Sequence, residues 1–247
     1  MTIIEERPES RPLAGDGKTQ RLVWDLPLRL VHWSLVVSFI GAFVTNRLGV
    51  AWFDWHVRFG YAVLALVVFR VMWGFVGAKH ARFANFVRSP AMTLSYARRL
   101  LRGDVPSYVG HNPLGALMVV ALLLGLGIQA SMGLFANDEI FNSGPLAGAV
   151  TKETSLALTS LHRRGFLLLA IAAGIHVVAV LVHIFVKREN LVRAMITGRK
   201  PRELVRADDE IPSSRLRVAA ALMLLVAAMF LAVGSFVTTT DASLDTF

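Results

Sequence analysis

Five long apolar stretches constrain the fold of this chain more than any other feature of its sequence. They span residues 30–45, 59–78, 113–135, 165–186 and 218–237. A helix that crosses a bilayer needs about 20 mostly apolar residues. The last three stretches contain no Asp, Glu, Lys or Arg, the second contains only Arg70, and the first is short but can be extended at both ends. The sequence therefore predicts an all-α integral membrane protein with five transmembrane helices.

The composition supports a membrane protein and limits the chemistry that the chain can carry. Hydrophobic residues make up 55% of the 247 residues and charged residues 17%, whereas soluble proteins have about 45–50% and about 25%. The chain has no cysteine, which excludes disulfides, thiolate zinc sites, iron–sulfur clusters and thioether-attached haem. Any metal must therefore be held by His, Met, Asp, Glu or Tyr.

The net charge of +9 is concentrated in two connecting segments. Residues 77–110 contain six Lys and Arg residues and residues 187–217 contain nine, whereas residues 136–161 contain only Lys152. By the positive-inside rule both basic segments face the cytoplasm, so we expect a bacterial inner-membrane protein with a cytoplasmic N-terminus and a periplasmic C-terminus. Because topology explains the charge, nucleic acid is not an expected partner.

We divide the chain into three parts. Residues 1–22 are polar and lack an apolar signal-peptide region, so we expect an uncleaved cytoplasmic tail. Residues 23–200 contain four predicted spans and form the core, and residues 201–247 hold a cytoplasmic linker and the fifth span. Within the core, residues 89–104 predict an amphipathic surface helix with a basic face, suited to lipid headgroups.

Six of the seven histidines lie within or at the ends of the apolar stretches, where ionisable side chains are costly and mark functional sites. The seventh, His80, lies in a basic segment and is expected at the surface. His162 and His176 are 14 residues apart on one helix, so they point to the same side and are separated by about 21 Å along the axis. One helix therefore presents an imidazole near each side of the membrane.

Each of these two histidines has a possible partner at the same depth. His56 begins the second span level with His162, and His32 lies about 20 Å below the outer edge of the first span, level with His176. Two such pairs suit two six-coordinate haems b, each iron taking one histidine from either side. His183, seven residues after His176 on the same face, is an alternative ligand of the inner haem. For any single histidine, a helix-capping or interhelical hydrogen bond is the alternative role.

Four arginines lie close to these histidines in the sequence: Arg29, Arg58, Arg163 and Arg164. Haem propionates are carboxylates, and the guanidinium group matches a carboxylate with two parallel hydrogen bonds. We therefore predict that the four arginines bind propionates. For Arg29, cytoplasmic topology is an equally good explanation, whereas basic residues are otherwise scarce on the outer side.

Two further polar residues have mainly structural interpretations. Arg70 lies inside the second span, where snorkelling towards the cytoplasmic face explains it. His111 and Asn112 precede Pro113 and suit the start of the third helix. The alternative for His111 is a hydrogen bond to a quinone or to a haem propionate.

Four segments carry a resemblance to a known family. They are RLVHWSL around His32, WHVRFGY around His56, GHNPLGALMVV at the third span, and LHRRGFLLLAIAAGIHVVAVLVHIFVKRENLVRAM across the fourth. With these segments in this order, the chain resembles the prokaryotic cytochrome b561 family, which includes the b-type cytochrome subunits of nickel–iron hydrogenases. The resemblance covers about residues 21–200.

The resemblance implies a four-helix bundle that holds two haems b, with His32 paired to His176 and His56 to His162. It also implies electron exchange between a periplasmic redox partner, such as a c-type cytochrome or a hydrogenase, and the membrane quinone pool. The stretch at residues 218–237 departs from the family pattern and adds a fifth, C-terminal transmembrane helix without candidate ligands.

Two other functions are alternatives to an electron-transfer subunit. Some relatives with a similar core react directly with small oxidants, so the chain could be a superoxide:quinone oxidoreductase that acts at the outer haem, with outer arginines forming a basic funnel. A transporter of protons or metal ions is a third class, but the sequence has neither inverted repeats nor broken helices.

Overall fold

The computed structural model describes residues 19–103 and 108–244, with side chains up to residue 232. Within these residues it has eight α-helices and one two-stranded antiparallel sheet. The helices are α1 (Leu26–Arg47), α2 (Phe53–Val76), α3 (Phe83–Phe86), α4 (Pro90–Leu101), α5 (Pro113–Leu134), α6 (Lys152–Phe185), α7 (Leu191–Thr197) and α8 (Leu216–Leu244). The strands are β1 (Gln20–Leu22) and β2 (Arg199–Pro201). Most of the predicted tail, residues 1–18, lies outside the described residues.

Four helices are long and apolar enough to cross a membrane, which confirms the first four predicted spans. They are α1, α2 with the short turn before it, α5 and α6. The fifth predicted span falls in α8, whose described side chains form a shorter apolar stretch, Leu216–Ala232. The amphipathic connector is also helical, as α4, and begins at the cap residue Ser89.

Side-chain caps and prolines set where the membrane helices begin. The Asp25 carboxylate accepts a hydrogen bond from the backbone N–H of Leu28 at the start of α1. Asn112 accepts one from Gly115 at the start of α5, where Pro113 follows. Asn112 is therefore the N-cap residue, as predicted, because its amide oxygen satisfies an otherwise unpaired N–H of the first turn.

Helix α6 is longer than its apolar stretch. Its 34 residues span about 51 Å, more than the roughly 30 Å core of a bilayer. The extra residues are at its start, where Thr151 caps the helix. Ser155 donates to the carbonyl of Phe135 at 2.6 Å, and Thr159 accepts from the backbone of Asn137 at 2.8 Å. The loop before α6 is thus fastened to the first turns of α6.

The four spans pack in a chain-like order that leaves room inside the bundle. Helix α1 packs on α2, α2 on α5, and α5 on α6, while α8 packs on α2. Helix α6 meets α1 through aromatic rings: Phe166 stacks on Phe39 and Phe43, with ring centres 6.0 and 5.3 Å apart. These side chains bridge α6 and α1 across the bundle interior.

One end of the bundle is closed by a small folded unit, which we call the cap (residues 19–25, 77–86 and 194–215). Strands β1 and β2 pair in it, and Ile211 donates its backbone N–H to the carbonyl of Leu22. Lys79 forms an ion pair with Asp209 at 2.8 Å. Residues 199–211 therefore pack against the start of α1 and the end of α2. We call the opposite end of the bundle, where α1 meets α2 and α5 meets α6, the far end.

Two polar residues differ from their sequence-based interpretation. His80, expected at the surface, is half-buried in the cap: its Nε2 atom lies 2.7 Å from the carbonyl oxygen of Asp209, and its ring contacts Trp24. Arg70, expected to snorkel, is buried under the ring of Phe83. The cap folds over both residues, and the sequence of the spans alone does not reveal such a cover.

Candidate functional site

A histidine pair lies at the far end of the bundle. The rings of His56 on α2 and His162 on α6 are 6.1 Å apart, centre to centre, and perpendicular. Nδ1 of His56 lies 2.8 Å from the carbonyl oxygen of Ala42, and Nδ1 of His162 lies 2.9 Å from that of Gln129. Because a carbonyl oxygen only accepts, each Nδ1 carries the proton and each Nε2 keeps a lone pair. Histidines that bind metals are typically oriented in this way.

Gln129 on α5 contacts His162 twice and was missed by the sequence analysis. Besides the carbonyl bond to the ring, its side-chain Nε2 donates to the backbone carbonyl of His162 at 2.8 Å. Gly165 makes room for this amide, since a Cβ there would lie 2.8 Å from its oxygen. The only signal available in the sequence was a single amide within an apolar span.

A cavity of about 490 Å³ surrounds the far-end pair, a size typical of cofactor sites. The lining includes Phe39, Phe43, Arg47, His56, Gly60, Gln129, Gly133, Asp138, His162, Arg163 and Phe166. A Cβ on Gly60 would meet no atom within 4 Å, so this glycine borders open space. The cavity is mostly aromatic and apolar, with the two imidazoles facing each other inside it.

A second histidine pair lies nearer the cap. The rings of His32 on α1 and His176 on α6 are 6.4 Å apart, centre to centre. The Nδ1 atom of His32 is buried and has no hydrogen-bond partner among the described residues. The structure brings His176 to His32, whereas the ring of His183 lies by the carbonyl of Ala179 on its own helix, 2.9 Å away.

The spacing of both pairs fits an iron between the rings. Two metal–nitrogen bonds of about 2.0 Å and the distance of about 1.1 Å from each ring centre to its nitrogen add up to about 6.2 Å. The observed distances are 6.1 and 6.4 Å. Each pair could therefore hold a haem iron, with one imidazole nitrogen from either side.

The four predicted propionate arginines occupy different places. Arg163 lines the far-end cavity. Arg58 is exposed and stacks on Trp55, 4.9 Å from the ring centre, and Arg164 is exposed. Arg29 donates from Nη1 to the carbonyl of Ile196. The structure therefore brings one of the four into the cavity.

Arg47, which the sequence analysis passed over, also lines the far-end cavity, with its guanidinium 5.3 Å from the centre of the Phe43 ring. Asp138 lies at the same cavity. Its carboxylate accepts from the backbone of Asn142, Ile140 and Phe141. These bonds hold the pKa of Asp138 well below its usual range, so this carboxylate is charged.

Burial shifts the pKa values of two groups in and beside the cap. The ring of His111 packs between Trp24 and Phe86, with centres 4.9 and 4.8 Å away. Burial lowers the pKa of His111 to about 3. Burial also raises the pKa of Asp25, whose carboxylate accepts from Trp73 at 3.0 Å.

A helical membrane bundle with histidine pairs facing each other across its interior defines a class, the transmembrane b-type cytochromes. The comparison with protein families agrees with this class. The chain belongs to the prokaryotic cytochrome b561 family, whose model matches residues 23–198. It is accordingly a multi-pass membrane cytochrome of electron transport with haem b as its cofactor.

Several curated proteins are similar to the chain along most of its length. A probable Ni/Fe-hydrogenase B-type cytochrome subunit of Rhodobacter capsulatus is 26% identical over 74% of this chain and 82% of its own. Its counterpart in Azotobacter vinelandii is 27% identical over 74% of this chain and 92% of its own. No solved structure matches the chain significantly.

Proposed function

We propose that the chain is a dihaem electron conduit, with one haem b held by His56 and His162 and a second by His32 and His176. The observation that carries this proposal is the pair of ring distances, 6.1 and 6.4 Å, on histidines from three helices. Both pairs use a residue of α6, and the 14-residue interval separates them by about 21 Å along that helix.

The residues of the chain would set the properties of the bound groups. Haem iron, when bound, carries one electron at a time between its ferrous and ferric states. The carbonyls of Ala42 and Gln129 fix the tautomer of the far-end imidazoles, which orients Nε2 for ligation. The aromatic lining keeps water away and Arg163 offers a counter-charge for a propionate.

The electron-transfer partners are inferred from the orientation of the chain in the membrane and from the names of its relatives. The basic segments border the cap, so the positive-inside rule places the cap in the cytoplasm and the far end in the periplasm of a bacterial inner membrane. The relatives are named as hydrogenase cytochrome subunits. We infer that the chain passes electrons between a periplasmic redox partner, a hydrogenase or a c-type cytochrome, and membrane quinone.

The experiment is a pyridine haemochrome assay on the purified full-length chain, together with its visible spectrum. We expect two haems b per chain with low-spin spectra, and one haem in each of His32→Ala, His56→Ala, His162→Ala and His176→Ala. His80→Ala and His183→Ala are the matched controls and should keep two. A wild-type chain without haem, or four alanine variants that keep both haems, would refute the proposal.

A further inference from the structure

Arg70 is a charged side chain in the bundle interior that the two histidine pairs do not account for. It is only 4% exposed. Its Nη1 and Nη2 atoms are buried and have no hydrogen-bond partner among the described residues. A buried cation is costly unless it is paired, and within a membrane span such a residue marks a functional site. These two nitrogens can therefore donate hydrogen bonds to an anion.

The position of Arg70 along α2 puts it at the depth of His32 and His176, which we call the cap-end pair. Arg70 follows His56 by 14 residues, the same interval that separates His162 from His176 on α6. It therefore lies on the same side of α2 as His56 and about 21 Å nearer the cap. The charge of Arg70 also acts on His111, which lies just before the start of α5 at the same end of the bundle.

The Arg70 guanidinium is held in place by its surroundings, but they do not neutralise it. Its carbon lies 5.3 Å from the centre of the Phe83 ring. Gly74 admits that ring, since a Cβ on Gly74 would lie 2.0 Å from it. Asp25, whose charge acts on Arg70, makes its hydrogen bonds to Trp73 and to the first turn of α1 instead.

A second buried nitrogen without a hydrogen-bond partner lies in the same region. The Nδ1 atom of His111 is buried and has no hydrogen-bond partner among the described residues. Its ring is fixed between Trp24 and Phe86. Arg29, the residue expected from the sequence to bind the inner propionates, donates from Nη1 to the carbonyl of Ile196, while its Nε atom is buried without a hydrogen-bond partner among the described residues.

We propose that Arg70 binds a propionate carboxylate of the haem held by His32 and His176, with His111 as a further donor to the same group. The inference rests on the proposed dihaem function. A carboxylate is the anion that a guanidinium binds with two parallel hydrogen bonds. A haem held between His32 and His176 would bring its two propionate carboxylates to the same depth in the membrane as Arg70.

The first test compares the full-length wild type with Arg70→Gln and Arg70→Lys. Arg88→Gln is the matched control, because Arg88 is an exposed arginine that donates to the carbonyl of Asn85. We expect Arg70→Gln to lower the midpoint potential of one haem, since a positive charge beside a propionate stabilises the reduced state. Transfer of that haem to a scavenging apoprotein should be about 10- to 100-fold faster. Arg70→Lys should fall in between, and Arg88→Gln should match the wild type.

A second test modifies the haem and leaves the wild-type chain intact. Its main comparison, between two haems bound to the wild type, does not depend on how a variant folds. Full-length chain made without haem is reconstituted with haem b or with its dimethyl ester, which has no carboxylates. We expect the cap-end site of the wild type to prefer haem b, and this preference to be lost in Arg70→Gln. Equal binding of the two haems by the wild type, or an unchanged potential and transfer rate in Arg70→Gln, would overturn the inference.

The two proposals fail in different ways. If His32→Ala and His176→Ala leave the haem content unchanged, no haem is held at the cap end and the dihaem function is refuted together with the role of Arg70. If both variants lose one haem while Arg70→Gln behaves like Arg88→Gln, the dihaem function stands and only the role of Arg70 is refuted.

Discussion

The imidazoles of the far-end pair have their protonation fixed by two backbone carbonyls. His56 and His162 each use Nδ1 on a carbonyl, so two lone pairs remain on the Nε2 atoms of rings 6.1 Å apart. Two such nitrogens cannot form a hydrogen bond with each other, because neither carries a proton. A metal cation bound between them, as in the proposed haem site, would remove that conflict.

The substitution Gly133→Ala tests how closely α5 must approach the ring of His162. A Cβ on Gly133 would lie 3.0 Å from Cε1 of that ring, so Gly133→Ala forces the imidazole to shift, and such overpacking costs about 1–3 kcal/mol. We expect Gly133→Ala to weaken binding of one haem and to disturb its low-spin spectrum. Gly148→Ala, where a Cβ meets open space, should leave both haems unchanged. A normal spectrum for Gly133→Ala would show that the ring tolerates the shift.

The sequence predicted the histidine pairs well because helix geometry fixes them. Two residues 14 apart share a face of a helix whatever the neighbouring helices do, and depth then pairs His162 with His56 and His176 with His32. The carbonyls of Ala42 and Gln129 could not be predicted, because they depend on how α1 and α5 are rotated against the histidines. The burial of Arg70 was mispredicted for a similar reason, since Phe83 reaches it from outside the span.

Among the elements, the cap shows how a few short segments close one end of the bundle. Strand β1 precedes α1, and β2 follows α7, so their pairing ties the start of the first span to the residues after the fourth. The backbone carbonyl of Gly198 accepts from both Val23 and Trp24. Sequence periodicity could not predict this sheet, because three-residue strands leave too short a pattern.

The stability of the cap should depend on pH through His80 and His111. Burial lowers the pKa of both imidazoles, to about 3 for His111. An opened cap therefore binds more protons than the folded cap below the ordinary pKa of about 6.5. The stabilisation is present above that pH and decreases as the pH falls towards the folded-state values. Hydrogen exchange at Val23, Trp24 and Ile211 should accordingly show faster cap opening at pH 5 than at pH 7, after correction for the intrinsic exchange rate.

The matched control is the double variant His80→Gln, His111→Gln, in which the opening of the cap should depend much less on pH over the same range. Asp209, whose pKa is lowered by its hydrogen bond to Lys79, acts in the same direction but only at more acidic pH. A wild-type cap that opens equally often at pH 7 and pH 5 would contradict the prediction.

At the scale of the whole molecule, α8 carries none of the four paired histidines. It packs against α2 and, to a smaller extent, α1. Val226 and Ala219 are its buried contacts in the main core cluster. The paired histidines all lie on the other spans, so α8 supports the bundle without contributing a histidine to either pair.

A shortened chain that ends after residue 215 tests whether α8 is needed for haem binding. We expect it to keep the haem content of the full chain, because His32, His56, His162 and His176 and the helices that orient them are all present. Its apparent melting temperature in detergent should be lower, because Val226 no longer packs against the core. Haemochrome stoichiometry and a thermal melt followed at the haem absorbance measure the two effects. Loss of either haem would show that α8 is needed to form that site.

Both histidine pairs include one histidine of α6, which has a consequence for the biogenesis of the protein. During synthesis His32 and His56 enter the membrane with the first two helices, and each remains a lone imidazole while the third span follows. Both of their partners arrive together on the fourth span, 14 residues apart. Neither pair can therefore form before α6 is inserted, so in the proposed dihaem protein haem acquisition would follow the insertion of all four spans.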